Sequence, residues 1–212
     1  MEPKRLPPKP PREEVREDEL AAYDSVVERQ ARLWKDAHTD SNEYFYALLN
    51  SPLVAAGIVD MGRIVREGQV RGSYTDAQRE LVDMVFATDF DYNTILKLHL
   101  PDAVSVGVRV EAIDAIRSGE ESSLTPEEAQ IAAYARMVAA GEVTDAAYAG
   151  MEELLGSRGA VDFTVFIGFL LCTLRLWQAL GVPNVPDSEI DEMLRGYRDG
   201  TTELFDPAAR IG

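Results

Sequence analysis

The sequence predicts an all-α protein, and two observations carry that prediction. Apolar residues recur at the three- and four-residue spacing of a buried helix face through most of the chain. No alternating apolar–polar run coincides with the turn residues of a hairpin, so strands are unsupported. From the segments between cap residues and glycine or proline breaks, we expect about eight to ten helices.

The length and composition are those of a soluble globular protein. A chain of 212 residues supplies enough apolar side chains for one core. Apolar residues make up 46% and charged residues 27% of it. We expect one all-helical domain over residues 13–200, followed by a C-terminal tail at 201–212. A proline-rich tail at 1–12 precedes the domain and is either extended and mobile or laid over a neighbouring element.

The charge and the cysteine content exclude several partners. The formal net charge is −16, whereas nucleic acids and anionic membranes both attract basic surfaces. The one cysteine, Cys172, rules out an intramolecular disulfide and fits a reducing, cytoplasmic compartment. Because it lies among leucines in the middle of a predicted helix, we interpret Cys172 as an inert core residue.

The N-terminal part predicts three helices. The first, over 13–34, carries acids in its first turns and an apolar stripe. The second, over 42–49, is dense in aromatic residues, which either line a pocket or pack under a loop. The third, over 53–67, follows Ser-Pro, a common helix start. His38 falls in the polar loop before the second helix and is left unassigned.

Two further helices, over 76–90 and 92–100, form the stretch around which the candidate chemistry is organised. Thr75 and Gln78 have the spacing of a capping box at the start of the first. Pro101 is expected to end the second. We expect the two helices to pack on each other as an antiparallel hairpin.

Packing of these two helices would bring together polar side chains that lie within otherwise apolar helices. Glu80 lies beside the buried face of the first helix, where a carboxylate is costly without a partner. His99 lies on the apolar face of the second, one turn after Ile95, and Tyr92 is one turn before Ile95. Glu80, Tyr92 and His99 should therefore converge. Arg79 either pairs with an acid on a neighbouring helix or reaches a substrate carboxylate; a solvated or structural arginine is the favoured interpretation.

The C-terminal half predicts five more helices, with glycine breaks at 156 and 159. The most apolar of them, over 163–180, has an uncharged run that stops before Arg175. That run is short of the roughly 20 apolar residues of a membrane span, so we expect a central buried helix. Its apolar surface and the stripe over 20–34 favour a homo-oligomer. The five helices are expected over 109–117, 125–141, 144–155, 163–180 and 188–197.

The usual cofactor motifs are missing from the sequence. It contains no Gly-rich phosphate loop, no dinucleotide fingerprint and no Gly-x-Ser-x-Gly elbow. Two histidines and one cysteine cannot build a usual zinc site. These absences leave Glu80, Tyr92 and His99 as the candidates for acid–base chemistry.

The stretch from Glu80 to His99 resembles the carboxymuconolactone decarboxylase and alkylhydroperoxidase-D-like family. Members carry a glutamate, then a Cys-x-x-Cys or a single cysteine, then a histidine, on two successive helices. Glu80 and His99 occupy the acid and histidine positions, with the family's separation of 99 − 80 = 19 residues. Tyr92 and Ile95 occupy the two cysteine positions, so neither thiol is present.

The resemblance extends over about residues 15–185. Asn-Ser-Pro-Leu at 50–53 looks like the family's lead-in, and Ala-Leu-Gly-Val-Pro at 179–183 looks like its close. It implies an alkylhydroperoxidase-D-like helical bundle built around the central hairpin. It also implies assembly into trimers or hexamers.

For function, the resemblance implies a lyase that decarboxylates small unsaturated lactone acids without a cofactor. Loss of carbon dioxide leaves an enolate-like intermediate, which Glu80 and His99 would reprotonate. Tyr92 would donate a hydrogen bond to the developing oxyanion, and Arg79 and Ile95 would contact the substrate. Isomerisation of a keto acid or hydrolysis of a lactone fits the same groups. Peroxidase activity is not expected, because both thiols are missing.

The residues also permit a different interpretation. In this alternative, Glu80 and His99 form a structural pair that stabilises two helices, in a non-catalytic binding or assembly protein that keeps the fold and the oligomer. The missing cysteines favour this alternative. An open pocket reached by both residues would indicate catalysis, and a closed contact between them would indicate a structural role.

Overall fold

The computed structural model describes residues 5–33, 40–66 and 72–204. Within these ranges the regular structure is helical, with nine α-helices, three short 3₁₀ helices and no strand, which confirms the all-α prediction. Trp34 and the loop residue His38 lie outside the described residues. The helices are α1 (Leu20–Leu33), α2 (Asp40–Leu48), α3 (Pro52–Arg66), α4 (Asp76–Asp89), α5 (Asn93–Ser105), α6 (Val110–Ser118), α7 (Pro126–Ala140), α8 (Asp145–Leu180) and α9 (Asp187–Arg198).

The helices group into two compact units. The first contains α1, α2, α3 and the last part of α8 from Cys172. The second contains α4 to α7, the earlier part of α8, and α9. The units are groups of helices that contact one another within the folded chain. The prediction of one domain over 13–200 stays a prediction.

In the first unit, the described part of the proline-rich segment lies over α1 and the end of α2. Leu6 is buried. The Tyr23 hydroxyl donates to the carbonyl of Pro10 at 2.8 Å, and the Asn50 amide donates to the carbonyl of Pro8 at 3.0 Å. Proline removes N–H donors from the segment, but its carbonyls still accept these bonds. Residues 5–12 therefore lie over neighbouring elements, which is the second of the two arrangements predicted for the proline-rich tail.

The first helix begins later than predicted. Residues Arg12–Glu14 and Glu17–Glu19 form separate 3₁₀ turns, and α1 starts at Leu20. Between the two turns, Arg16 is extended and pairs with Asp18 at 2.7 Å. Residues two apart do not face each other on an α-helix, so this ion pair favours the extended backbone. The core of the unit forms behind it, from Tyr23, Val26, Leu49, Ala55 and Val59.

The third helix starts at Pro52, as the Ser-Pro pair predicted, and exposes an apolar face. Its other face is buried through Ala55, Val59 and Val65. The exposed members lie at helical spacing, so they form one strip of surface. They are Leu53, Val54, Met61 and Ile64.

In the second unit, the predicted caps set the helix starts. Thr75 accepts from the Gln78 N–H at 3.1 Å and its own N–H donates to the Gln78 side chain at 2.8 Å, which is the predicted capping box of α4. Thr125 and Glu128 form the same box at the start of α7. These bonds satisfy backbone N–H groups that a helix leaves without an internal partner.

The prediction that Pro101 ends the second helix of the central pair is wrong. Helix α5 continues through Pro101 to Ser105. Proline in a helix interior costs about 3 kcal/mol. Leu100 and Ala103 on either side of it are fully buried, and burying one leucine side chain contributes about 1.5–3 kcal/mol. Packing of this last turn offsets the cost of the proline.

Helix α8 has one of its two predicted breaks. Gly156 has φ 73° and ψ 164°, which interrupts the helical backbone as expected. Gly159 remains helical, contrary to prediction. A β-carbon at Gly159 would lie 2.6 Å from the Ser73 carbonyl oxygen, so glycine there permits close approach of two backbone segments rather than a break.

The prediction that the 163–180 helix is buried on all sides, with Cys172 in the core, is wrong. One face, including Phe163, Phe166 and Leu174, is buried, whereas Val165 and Cys172 are exposed. A period of 3.6 residues places Cys172 in phase with Val165. By length and composition alone, α8 could cross a membrane, but core helices of soluble proteins meet the same criterion.

Candidate functional site

A short turn between α4 and α5 positions the candidate site. In this turn Asp91 adopts a left-handed conformation with φ 51°, which aspartate tolerates better than most residues. The Tyr92 N–H donates to the carbonyl of Ala87 at 2.7 Å. The chain thereby reverses direction within a few residues, and α5 packs on α4.

Helix α4 lies at the centre of the second unit. It packs against α5, α6 and α7, and every residue from Glu80 to Ala87 is buried. A helix buried all round normally carries apolar residues only. Glu80 and Asp83 depart from this rule, one turn apart on the same helix. Because buried carboxylates are costly, their partners identify the site.

Glu80 and His99 are in direct contact across the two helices. Nδ1 of His99 lies 3.0 Å from Oε2 of Glu80. The Glu80 side chain is 1% exposed, whereas that of His99 is 23% exposed. The structure therefore brings together two of the three residues that the sequence singled out, with the carboxylate buried and the imidazole partly exposed.

Arg79 completes the coordination of Glu80. Its guanidinium donates to Oε1 of Glu80 at 2.8 Å, and a second nitrogen lies 3.4 Å from Asp76. Both of these acids belong to α4 itself, and the predicted pairing of Arg79 with an acid on a neighbouring helix stays a prediction. Each Glu80 oxygen thus has its own partner, Arg79 on one and His99 on the other.

Asp83 is the member of the site that sequence reasoning missed. It is fully buried, and its Oδ1 lies 3.8 Å from Nε2 of His99. The imidazole therefore stands between two carboxylates, one at each ring nitrogen. A charged residue inside the apolar run Leu81-Val82-Asp83-Met84-Val85 was the available signal.

Tyr92 and Ile95, at the positions of the family's cysteines, are buried at the start of α5. Ile95 lies one turn before His99 on the same face. At 1.5 Å per residue, Tyr92 lies about 10 Å from His99 along the helix. The polar contacts that define the site join Glu80 to His99 and Arg79. The roles of Tyr92 as an oxygen donor and Ile95 as a substrate contact remain predictions.

Glu80, Asp83 and His99 form a group that could hold a metal ion or carry protons. Glu80, Asp83 and His99 each bring a potential ligand atom within 4.8 Å of the others. The two carboxylates, however, lie against different nitrogens of the imidazole, and Arg79 places a positive charge on Glu80. A single cation can bind only one ring nitrogen of His99. A ring held by carboxylates at both nitrogens can carry and release protons instead.

Two surface cavities occur elsewhere in the second unit. One has a volume of about 620 Å³ and lies beside α6 and α9; the other, of about 300 Å³, lies near the turn before α5. Neither is lined by Glu80 or His99. The smaller one is lined by Thr88, Asp91, Asn93, Leu96, Arg117, Asp187 and Asp191.

Comparisons with known proteins give no match for the chain among family models, curated proteins or solved structures. The likeness of residues 15–185 to the carboxymuconolactone decarboxylase and alkylhydroperoxidase-D-like family stays a resemblance. Function is a property of sites rather than of folds, so the contacts around His99 are the basis for a functional proposal.

Proposed function

We propose that the protein is a thiol-free, cofactor-independent enzyme of the carboxymuconolactone decarboxylase type. Its fold would be the alkylhydroperoxidase-D-like bundle, with α4 and α5 as the central hairpin. Its substrate would be a small unsaturated lactone or keto acid. The observation that carries the proposal is the 3.0 Å contact between His99 and a glutamate that is otherwise removed from water.

In the proposed reaction, the bond from carbon to the substrate carboxylate breaks, and carbon dioxide leaves. The electron pair of that bond enters a conjugated enolate. A proton held on His99 then passes to carbon, and water at the exposed edge of the imidazole replaces it. Glu80 keeps the ring in one orientation and stabilises its charged form. Isomerisation and lactone hydrolysis would use the same proton carrier.

A crystal soak tests the substrate class. Crystals would be soaked with a panel of unsaturated lactones and keto acids, and solution assays would follow carbon dioxide release. We expect density for one compound within hydrogen-bonding distance of Nε2 of His99, and none in His99→Gln crystals. Density only in the cavities near α6 and α9, with no turnover of any panel member, would contradict the proposal.

A second candidate is a non-catalytic, homo-oligomeric binding protein that keeps the fold. The observation in its favour is the closed contact of Glu80, which is 1% exposed and held by Arg79 as well as His99. The exposed apolar strip on α3, which includes Val54 and Met61, offers a surface for a second copy.

Light scattering at micromolar concentration tests the assembly that both candidates share. We expect a trimer or hexamer, and a monomer would contradict the oligomer prediction. Val54→Glu together with Met61→Glu should reduce the mass if α3 is the contact. Arg63→Glu, a charge change on the exposed surface of the same helix, is the matched control. The absence of turnover in the soak experiment, combined with an intact oligomer, would favour the second candidate.

A further inference from the structure

We infer that Asp83 is a positioning residue that holds His99 as an imidazolium, so that the proposed enzyme begins its cycle with His99 as the proton donor. The protonation state follows from the geometry of α4 and α5. The catalytic consequence rests on the proposed function. Asp83 is not among the residues that the family resemblance suggests.

The first step concerns the Nδ1 edge of the ring. A nitrogen and a carboxylate oxygen 3.0 Å apart need a proton between them, because two acceptors without one repel each other. Glu80 also accepts from Arg79 at 2.8 Å, which favours its ionised form. The proton in the contact therefore belongs to Nδ1 of His99.

The second step concerns the Nε2 edge. If Nδ1 carries the only ring proton, the lone pair of Nε2 faces the fully buried carboxylate of Asp83 at 3.8 Å. That distance is too long for a direct hydrogen bond, but it is well inside the range of a charge–charge interaction. A proton on Nε2 turns repulsion into attraction at this edge.

The third step is the charge balance of the cluster. Glu80 and Asp83 contribute two negative charges, and Arg79 contributes one positive charge. Burying two carboxylates is costly unless opposite charge lies beside them. An imidazolium at His99 supplies positive charge next to both.

Among the described residues, further charged groups lie on α4, α5 and α9. On α4, Asp76 lies near Arg79 and is largely exposed. On α5 itself, Lys97 is paired at 2.7 Å with Glu189 of α9, and Asp102 lies one turn beyond His99.

Two-dimensional NMR of the histidine ring nitrogens tests the inference directly. The chain has two histidines, and His99→Gln assigns their signals. At pH 7 we expect both ring nitrogens of His99 to be protonated in the unmodified protein. Asp83→Asn keeps the side-chain shape and removes the charge, and it should lower the midpoint of the His99 titration by about one pH unit or more.

The matched control is Asp76→Asn, which removes a carboxylate from the same helix at a position 64% exposed. It should move the midpoint far less, because water screens an exposed charge. If circular dichroism shows that Asp83→Asn is unfolded, the NMR spectrum of the unmodified protein still tests whether His99 is an imidazolium. A single protonated ring nitrogen at pH 7 would overturn the inference. So would an unchanged midpoint in a folded Asp83→Asn protein.

The result is separable from the proposed function. If His99 is an imidazolium but His99→Gln does not change turnover, the inference about Asp83 stands and the enzyme proposal is contradicted. A ring signal that shifts on addition of Zn²⁺ alone, with loss of the Nε2 proton, would identify a metal ligand and overturn the inference. If turnover is found, Asp83→Asn should shift the pH–rate profile in the same direction as the NMR midpoint.

Discussion

Nδ1 of His99 on α5 lies 3.0 Å from Oε2 of Glu80 on α4, and this contact joins a partly exposed imidazole to a buried carboxylate. The two residues are 19 positions apart in sequence, and the tight turn at Asp91 makes their contact geometrically feasible.

The ion pair between Arg109 and Glu128 should make stability depend on acid pH. Arg109 donates to both oxygens of Glu128, at 3.0 and 2.6 Å, and this bonding lowers the pKa of Glu128 from its ordinary 4.5. A carboxylate whose pKa is lowered by folding stabilises the protein above its unfolded pKa. That contribution should disappear as pH falls below about 4.5.

Glu128→Gln isolates the charge, because glutamine also serves at this position of a capping box. Arg109 is 38% exposed, so solvent screening limits the expected loss at pH 7 to about 0.5–1 kcal/mol in urea unfolding. The loss should vanish at low pH. Glu127→Gln makes the same charge change on the neighbouring residue, and an equal loss in both variants would show that the Arg109 contact is not responsible.

Two glycines of α8 should respond in opposite ways to alanine. In Gly159→Ala, the new β-carbon would lie 2.6 Å from the Ser73 carbonyl oxygen, so one backbone segment must move. We expect a loss of about 1–3 kcal/mol in the free energy of unfolding. Gly168 is its matched control, since a β-carbon there has no neighbour within 4 Å.

Gly168→Ala should be neutral or stabilising by up to about 1 kcal/mol, because alanine is the better helix former. Urea unfolding monitored by circular dichroism measures both variants. If Gly159→Ala is as stable as Gly168→Ala, the close approach of Ser73 and Gly159 is not a constraint in solution.

The protein should have no thiol-dependent peroxidase activity. Tyr92 and Ile95 stand where the family's cysteines would be, and the chain has one cysteine in total. Cys172 is exposed, so peroxide can oxidise it, but no second cysteine of the chain can resolve a sulfenic acid. Purified protein should show no catalytic peroxide turnover with a dithiol reductant. Turnover that Cys172→Ser abolishes would contradict this prediction.

Local signals were predictable from the sequence because they involve residues a few positions apart. Thr75 with Gln78 forms the expected capping box, Thr125 with Glu128 forms a second one, and Gly119 ends α6 in a left-handed conformation. Each of these depends on bonds within one turn of the chain. The contact of Glu80 with His99 was predictable because the turn between their helices is short.

Long-range packing determined what the sequence did not reveal. Pro101 remains inside α5 because its neighbours are buried against other helices. Cys172 appeared to belong to the core because the surrounding run is apolar on every face, so its exposed orientation could not be distinguished by periodicity. Asp83 was missed because a lone acid in an apolar run does not by itself predict a site. Its proximity to His99 became visible only in the folded structure.

The most direct test of the central claim is the turnover of His99→Gln and Glu80→Gln on the substrate that the soak identifies. Circular dichroism would establish folding, and Lys97→Gln, an exposed change on α5, would serve as the matched control. Loss of a general acid–base group costs about 10²- to 10⁴-fold in rate. We predict a loss of this size in kcat for both variants and wild-type turnover for the control. If both variants fold and retain full turnover, Glu80 and His99 form a structural pair and the proposed mechanism is wrong.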